Sequence, residues 1–151
     1  MKYFLTLSCA FFSIVSLAQN DVLEDQVVRR CEVMPAFGQC IDANIDDVFQ
    51  CSTLAIIEYL GNEISYPSSA LALDISGTVY VAFVIERDGS VSGAQVFRSF
   101  KVSLEGAEEA IDDLEAESIR AVSALPSFRP GTQEGEPVRV EIVVPVKFSL
   151  N

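Results

Sequence analysis

The stretch from Gly77 to Arg98 constrains the fold more than any other part of the sequence. In its first half every second residue is apolar and can share one face of a strand; these residues are Val79, Val81, Phe83 and Ile85. A period of two, rich in β-branched and aromatic residues, is typical of a β-strand. The pair Asp88-Gly89 follows, and such a pair tolerates the positive φ of a tight turn. The sequence therefore predicts a β-hairpin that reverses into Val91–Arg98, in which the turn pair is structural and not catalytic.

The last segment of the chain shows the same alternation, interrupted by one proline. The residues that share its apolar face are Val138, Val140, Ile142, Val144, Val146 and Phe148. Pro145 lacks an N–H group, and proline within a sheet is confined to edge strands and bulges. We therefore expect Val138–Phe148 to be an edge strand. The backbones expected on the same open side as Pro145 belong to Arg139, Glu141, Val143 and Lys147.

Two segments carry the signals of helices. In the first, Ser52 can cap the N-terminus and Gly61 the C-terminus of a short helix. In the second, an apolar stripe that can lie on a sheet precedes Pro126, which ends the helix; the stripe is Leu114, Ser118, Ala121, Val122 and Leu125. Between the two, Pro67 can open another helical turn. Tyr66, held extended by that proline, is either an outward anchor or a core aromatic.

Length, composition and charge limit the classes of function. The chain has 151 residues, of which 50% are hydrophobic, and this suits one domain with one compact core. Its net charge of -12 argues against nucleic-acid binding, because a protein that binds phosphates needs a basic face. An acidic surface favours solubility or a basic partner.

An acidic run from Glu105 to Glu117 contains no basic residue. Its members are Glu105, Glu108, Glu109, Asp112, Asp113, Glu115 and Glu117. Acids near a helix N-terminus interact favourably with the helix dipole, so a solvated, dispensable face is the favoured interpretation. A calcium site or a patch for a basic partner is the alternative.

The first 18 residues have the pattern of a secretory signal peptide. Lys2 is the only charge, an apolar run extends from Tyr3 to Val15, and small residues precede Gln19. We expect cleavage after Ala18 and a periplasmic location. The apolar run is shorter than the roughly 20 residues that cross a bilayer, so an uncleaved inner-membrane anchor is the less favoured alternative.

Export changes the interpretation of the cysteines, since disulfides persist outside the cytoplasm. Cys40 and Cys51 flank a polar loop, and we expect them to form a disulfide that stabilises the fold by about 3 kcal/mol. Cys31 is then free or pairs with another chain. The sequence has no histidine and no fourth cysteine after residue 18, so we expect no metal site and no cofactor.

The same inventory argues against an enzyme. There is no histidine for general base catalysis, and no serine or cysteine lies beside a recognisable base. Adjacent carboxylates such as Asp46-Asp47 are usually solvated. We therefore expect neither catalysis nor a small-molecule substrate.

Several short motifs occur in a fixed order in the second half of the chain. They are Tyr-Pro at Tyr66, Gly-x-Val-x-Val-x-Phe from Gly77, Asp-Gly-x-Val from Asp88, Leu-Pro-x-Phe-x-Pro-Gly from Leu125, and Pro-Val from Pro137 with Val-Pro-Val-x-Phe ending at Phe148. Together they resemble the C-terminal domain of TonB-family energy transducers. The resemblance implies an α+β domain, residues 64–151, with a small antiparallel three-stranded sheet packed against helices. Residues 19–63 resemble the leader of short family members, with a short helix and the disulfide loop.

The resemblance also implies a function. Family members bind an extended segment of a TonB-dependent outer-membrane transporter by adding it as a strand to the sheet edge, so we expect a periplasmic protein-binding module. The partner-binding residues it implies are Tyr66, Pro67, Arg139, Glu141, Val143 and Lys147. The alternative is an energy-transducing subunit anchored in the inner membrane by an uncleaved N-terminus. A homodimer is a further alternative, because exposed edge strands can pair with their own copies.

Overall fold

The computed structural model describes residues 26–150. The predicted signal peptide and its cleavage site lie outside the described residues. Within residues 26–150, no helix combines the length and the apolarity that crossing a bilayer requires.

Five strands and three α-helices, together with one 3-10 helix, form the described part of the chain. In chain order they are β1 (Val27–Val28), the 3-10 helix (Gly38–Asp42), α1 (Val48–Glu63), α2 (Ser68–Ala72), β2 (Gly77–Ile85), β3 (Val91–Arg98), α3 (Ala107–Ser123), β4 (Gly131–Gln133) and β5 (Glu136–Phe148). The α+β class expected from the sequence is confirmed.

The sheet has the strand order β1-β5-β2-β3, with β4 paired to β5 off this path. β2 pairs antiparallel with β3 and with β5, whereas β1 pairs parallel with β5. The predicted number of three strands is therefore wrong, although β2, β3 and β5 make up most of the sheet. β1 has two residues and β4 has three, and segments so short cannot display a two-residue period.

Helix α1 is longer than the sequence predicts, and Ser52 has a different role. The helix begins after its N-cap Asp47, includes Gly61, and ends at its C-cap Ile64. Ser52 lies inside the helix and is buried, and its Oγ accepts a hydrogen bond from the Phe37 N–H at 3.1 Å. The sequence does not distinguish a serine that caps a helix from one that bonds the backbone of another segment. The prediction that Ser52 is the N-cap is therefore wrong.

One apolar core lies between the sheet and the helices. The inner faces of β2 and β5 are buried against the predicted stripe of α3 and against α1; the largest fully buried side chains include Phe83, Phe148, Ile56, Leu60, Ile85 and Leu114. Burying each of these side chains contributes on the order of 1.5–3 kcal/mol. Phe37, which precedes the 3-10 helix, joins the same core and packs on Phe128 with a ring-centroid distance of 4.8 Å. The described part of the leader is therefore packed with the rest of the domain.

The Asp88-Gly89 turn closes the hairpin and also contacts the chain before β4. Gly89 has φ +85°, and its N–H donates to the Glu86 carbonyl at 2.9 Å. The Phe128 N–H donates to the Gly89 carbonyl at 2.8 Å. A Cβ atom at Gly89 would lie 2.0 Å from the Phe128 carbonyl oxygen. Glycine is thus required at this turn for its conformation and for the close approach of Phe128.

We predict that Gly89→Ala destabilises the protein much more than Gly93→Ala. Both glycines have positive φ, but a Cβ at Gly93 would meet nothing within 4 Å. The conformational cost for either is about 1–2 kcal/mol, and the clash with Phe128 should add about 1–3 kcal/mol at Gly89 alone. Chemical denaturation measures both free energies of unfolding. Equal losses would show that the Gly89–Phe128 contact contributes nothing.

Candidate functional site

On one side, strand β5 is paired with β2 from Val140 to Phe148. The register runs from Gly77 opposite Phe148 to Ile85 opposite Val140. Pro145 lies opposite Tyr80 and has no N–H to donate, so it occupies a position whose backbone points away from β2. Backbone direction alternates along a strand, and therefore the groups that share this direction belong to Arg139, Glu141, Val143 and Lys147.

The opposite side of β5 is open over most of its length. β1 pairs there with Arg139 and Val140, which lie opposite Val27 and Val28. From Glu141 to Phe148 no described strand pairs with this side. We call the segment from Glu141 to Phe148 the β5 edge. The prediction of an open backbone is wrong for Arg139, because β1 was not visible in the sequence.

Arg139 has a structural partner in the turn that follows β2. Its Nε donates to Glu86 Oε2 at 2.8 Å and its Nη2 donates to Glu86 Oε1 at 3.1 Å. The Ser92 hydroxyl donates to Glu86 Oε1 as well. The hydrogen bonds from Arg139 and then from Ser92 hold the pKa of the Glu86 carboxyl below its ordinary value. The side chain of Arg139 therefore links β5 to the hairpin.

The other predicted residues of β5 differ in their surroundings. Glu141 Oε1 accepts a hydrogen bond from Arg29 Nε at 2.9 Å, which connects the residue after β1 to the edge. The Arg29 side chain is 80% exposed, so this ion pair contributes less than about 1 kcal/mol. Val143 is half-buried opposite Ala82, and Lys147 is exposed.

Tyr66 and Pro67 lie at the C-terminal end of the β5 edge. The Tyr66 hydroxyl donates to the Ile75 carbonyl, and its ring meets Phe148 edge-on with centroids 5.6 Å apart. Burial, and then the charge of Asp74, raise the pKa of Tyr66, so the hydroxyl remains a donor. Pro67 is the N-cap residue of α2. The structure thus places Tyr66 as a half-buried packing residue next to the end of the edge.

Glu117, the last member of the acidic run, has structural partners. Its Oε1 accepts the Ser65 N–H at 2.7 Å, and it forms an ion pair with Arg120 at 2.6 Å. The hydrogen bond from Arg120 is the main reason that the pKa of the Glu117 carboxyl lies below its ordinary value. Glu117 therefore connects α3 to the segment before α2 and is not simply a solvated acid.

A disulfide joins Cys40 in the 3-10 helix to Cys51 in α1, with 5.8 Å between the Cα atoms. This is the pairing expected from the sequence. Cys31 forms no disulfide with a described cysteine, and its thiol donates to the Val33 carbonyl at 3.1 Å. Among residues 26–150 no group of three or more His, Cys, Asp or Glu side chains is arranged to hold a metal ion.

Comparison with known proteins identifies one family. The family model described as the Gram-negative bacterial TonB protein C-terminal matches residues 62–150. Among solved structures, an NMR solution structure of the Helicobacter pylori TonB C-terminal domain is 22% identical, with 74% of this chain and 87% of that chain covered and a TM-score of 0.47. A second solution structure of that domain is 24% identical, with coverages of 64% and 90% and a TM-score of 0.37. No curated protein matches the sequence.

We predict that the Glu86–Arg139 contact makes stability depend on pH. The folded pKa of Glu86 lies below its ordinary value of 4.5, so the unfolded chain takes up the proton first as the pH falls. The stabilisation is complete above about pH 5 and is lost as the pH falls through the folded pKa. Glu86→Gln should flatten this part of the curve of unfolding free energy against pH.

Glu58→Gln is the control for that measurement, because it removes an exposed carboxylate of α1 and leaves the Arg139 contact intact. If the Glu86→Gln curve falls in parallel with that of the unmodified protein, the contact does not contribute to stability.

Proposed function

This chain belongs to the family of Gram-negative bacterial TonB protein C-terminal domains, and from that premise we propose that it is a periplasmic, non-catalytic binding module. TonB C-terminal domains are protein-interaction modules. The partner we propose is an extended segment of a TonB-dependent outer-membrane transporter. It pairs with the β5 edge by strand addition. The predicted signal peptide supports the periplasmic location.

The observation that carries this proposal is the open β5 edge itself. From Ile142 to Phe148 no described strand pairs with the outer backbone groups of β5, whose other side is paired with β2. Such a row of unpaired groups is a template for another strand. β1 supports the same interpretation, because it is a segment of this chain already added to the start of that side at Arg139 and Val140.

The backbone groups of the β5 edge limit the affinity of strand addition. Outward N–H donors are available at Val143 and Lys147, whereas the parallel register of β1 sets the Glu141 N–H against Val28 and Pro145 supplies only a carbonyl. Each added hydrogen bond contributes about 0.5–1.5 kcal/mol net. The pairing energy is therefore modest, and side-chain contacts must supply the rest of the affinity and the selectivity. This suits a contact that forms and dissociates repeatedly.

Charged side chains protect the β5 edge against indiscriminate pairing. Glu141 and Lys147 lie near its two ends, with Val143 and Pro145 between them. Charges and proline on an exposed edge disfavour random association with other strands. A partner segment that places opposite charges beside Glu141 and Lys147 would be favoured over one that does not.

We predict that Val143→Pro weakens partner binding about fivefold and leaves the fold intact. The substitution removes one outward N–H, worth about 1 kcal/mol, from a position that does not donate to β2. The probes are synthetic peptides that copy the periplasmic N-terminal segments of transporters from the same organism. NMR titration gives the dissociation constant, and amide exchange should show new protection at Val143 and Lys147.

Val143→Ala is the matched control, since it shortens the same side chain but keeps the N–H. Its affinity should stay closer to that of the unmodified protein than the affinity of Val143→Pro does. Unchanged binding by a correctly folded Val143→Pro variant would place the partner elsewhere, with the surface around Tyr66 and Pro67 as the next candidate.

A further inference from the structure

The sheet has a second edge, formed by β3 at the end opposite to β1. No described strand pairs with the outer side of β3. β3 leads into a loop that faces the start of α3, and a groove of about 590 Å³ lies between them. Phe100, Val102 and Ile111 supply the apolar part of its lining. We call this the α3 groove.

Apolar side chains are unusually exposed beside the α3 groove. Phe97 is 60% exposed, Leu104 is 47% exposed and Val102 is 37% exposed. Phe97 is the extra residue of a β-bulge, because Val96 and Arg98 lie opposite Val81 and Tyr80, which are consecutive. Phe97 therefore has no cross-strand neighbour. Exposed apolar side chains concentrated in one segment, next to polar ones, are typical of an interaction surface.

The acidic run divides into two sides of α3, and one side faces the groove. Glu108, Asp112 and Glu115 line the groove at helical spacing. No ion pair or side-chain hydrogen bond joins these three carboxylates to another described residue. On the other side, Asp113 accepts a hydrogen bond from Ser69 at 2.6 Å and Glu117 pairs with Arg120. The three carboxylates of the groove side therefore all lack partners within residues 26–150, whereas on the other side only Glu109 does.

The three carboxylates of the lining outnumber its basic residues, which favours a positively charged peptide. Lys101 is the one basic residue among the described residues that line the groove. Arg98 is not a lining residue of the groove, and its guanidinium lies 4.4 Å from the centroid of the Tyr80 ring. Ser99 lines the groove, and its buried Oγ has no hydrogen-bond partner among the described residues.

We propose that the α3 groove and the adjoining edge of β3 bind a second polypeptide, an extended basic segment that carries apolar side chains. Its lysine or arginine side chains pair with Glu108, Asp112 and Glu115. Its apolar side chains cover Phe97 and Val102, and its backbone continues along β3. This surface is separate from the β5 edge, so one domain can hold two different segments at the two ends of its sheet.

The test uses two variants of equal charge. Glu108→Gln with Asp112→Asn neutralises the groove side of α3, whereas Glu109→Gln with Asp113→Asn neutralises the other side. Each removes one glutamate and one aspartate spaced four residues apart on the same helix. Both variants should fold, as checked by circular dichroism, because all four side chains are exposed.

The probe is a fluorescent peptide of alternating lysine and leucine, compared with a peptide in which serine replaces leucine. We expect the groove variant to bind the lysine-leucine peptide about tenfold more weakly than the unmodified protein, and the control variant less than threefold. The serine peptide should bind more weakly than the leucine peptide. Amide shifts should map to Phe97–Val102 and to α3.

Equal losses in the two variants, or shifts spread over the whole surface, would mean general attraction between opposite charges and would overturn the proposal. Failure of the lysine-leucine peptide to bind at low salt would overturn it as well. The Val143→Pro variant separates the two sites, because it should bind the lysine-leucine peptide like the unmodified protein whether or not strand addition occurs at β5.

Discussion

The antiparallel pairing of β2 with β5 is the interaction on which the rest of the structure depends. It joins Gly77–Ile85 to residues near the C-terminus, so the hairpin, α3 and the β4 segment must all be arranged within the loop that it closes. Closing such a loop costs conformational entropy, and the buried side chains on the inner faces of the two strands offset it. Once the two strands are aligned, α1 and α3 have one apolar surface to cover.

The sequence predicts those parts of the fold that rest on a repeated pattern. The alternation in β2 and β5, the Asp88-Gly89 turn and the buried stripe of α3 each depend on local periodicity or on backbone chemistry, and each is found in the structure. β1 and β4 are not predicted, because their pairing is fixed by tertiary contacts and not by their own residues. Ser52 was misassigned for a related reason, since its partner Phe37 is distant in sequence.

In the candidate sites too, the sequence predicts what depends on a single residue, and the structure is needed for contacts between distant residues. Pro145 alone identifies the side of β5 that is open, because a missing N–H is a property of the residue. The ion pair between Arg139 and Glu86, and the contacts of Glu117 with Ser65 and Arg120, required the structure. The run of acids was visible at once, but only the fold shows which of them lack partners. Two sheet edges of different chemistry thus arise from one strand order: the β5 edge has charges near its ends, and the β3 edge adjoins the unpaired carboxylates of α3.

Pro145 has a consequence for the accuracy with which a partner aligns. An incoming strand finds N–H groups at Val143 and Lys147 but none at Pro145 between them, so the ladder has one fixed gap. A partner displaced by two residues would set a different carbonyl against that gap, and a buried carbonyl without a donor costs about 1–3 kcal/mol. A partner whose chain bends at the matching place, so that this carbonyl reaches water, would avoid the cost. For such a partner, the gap at Pro145 favours one alignment over those displaced by two residues.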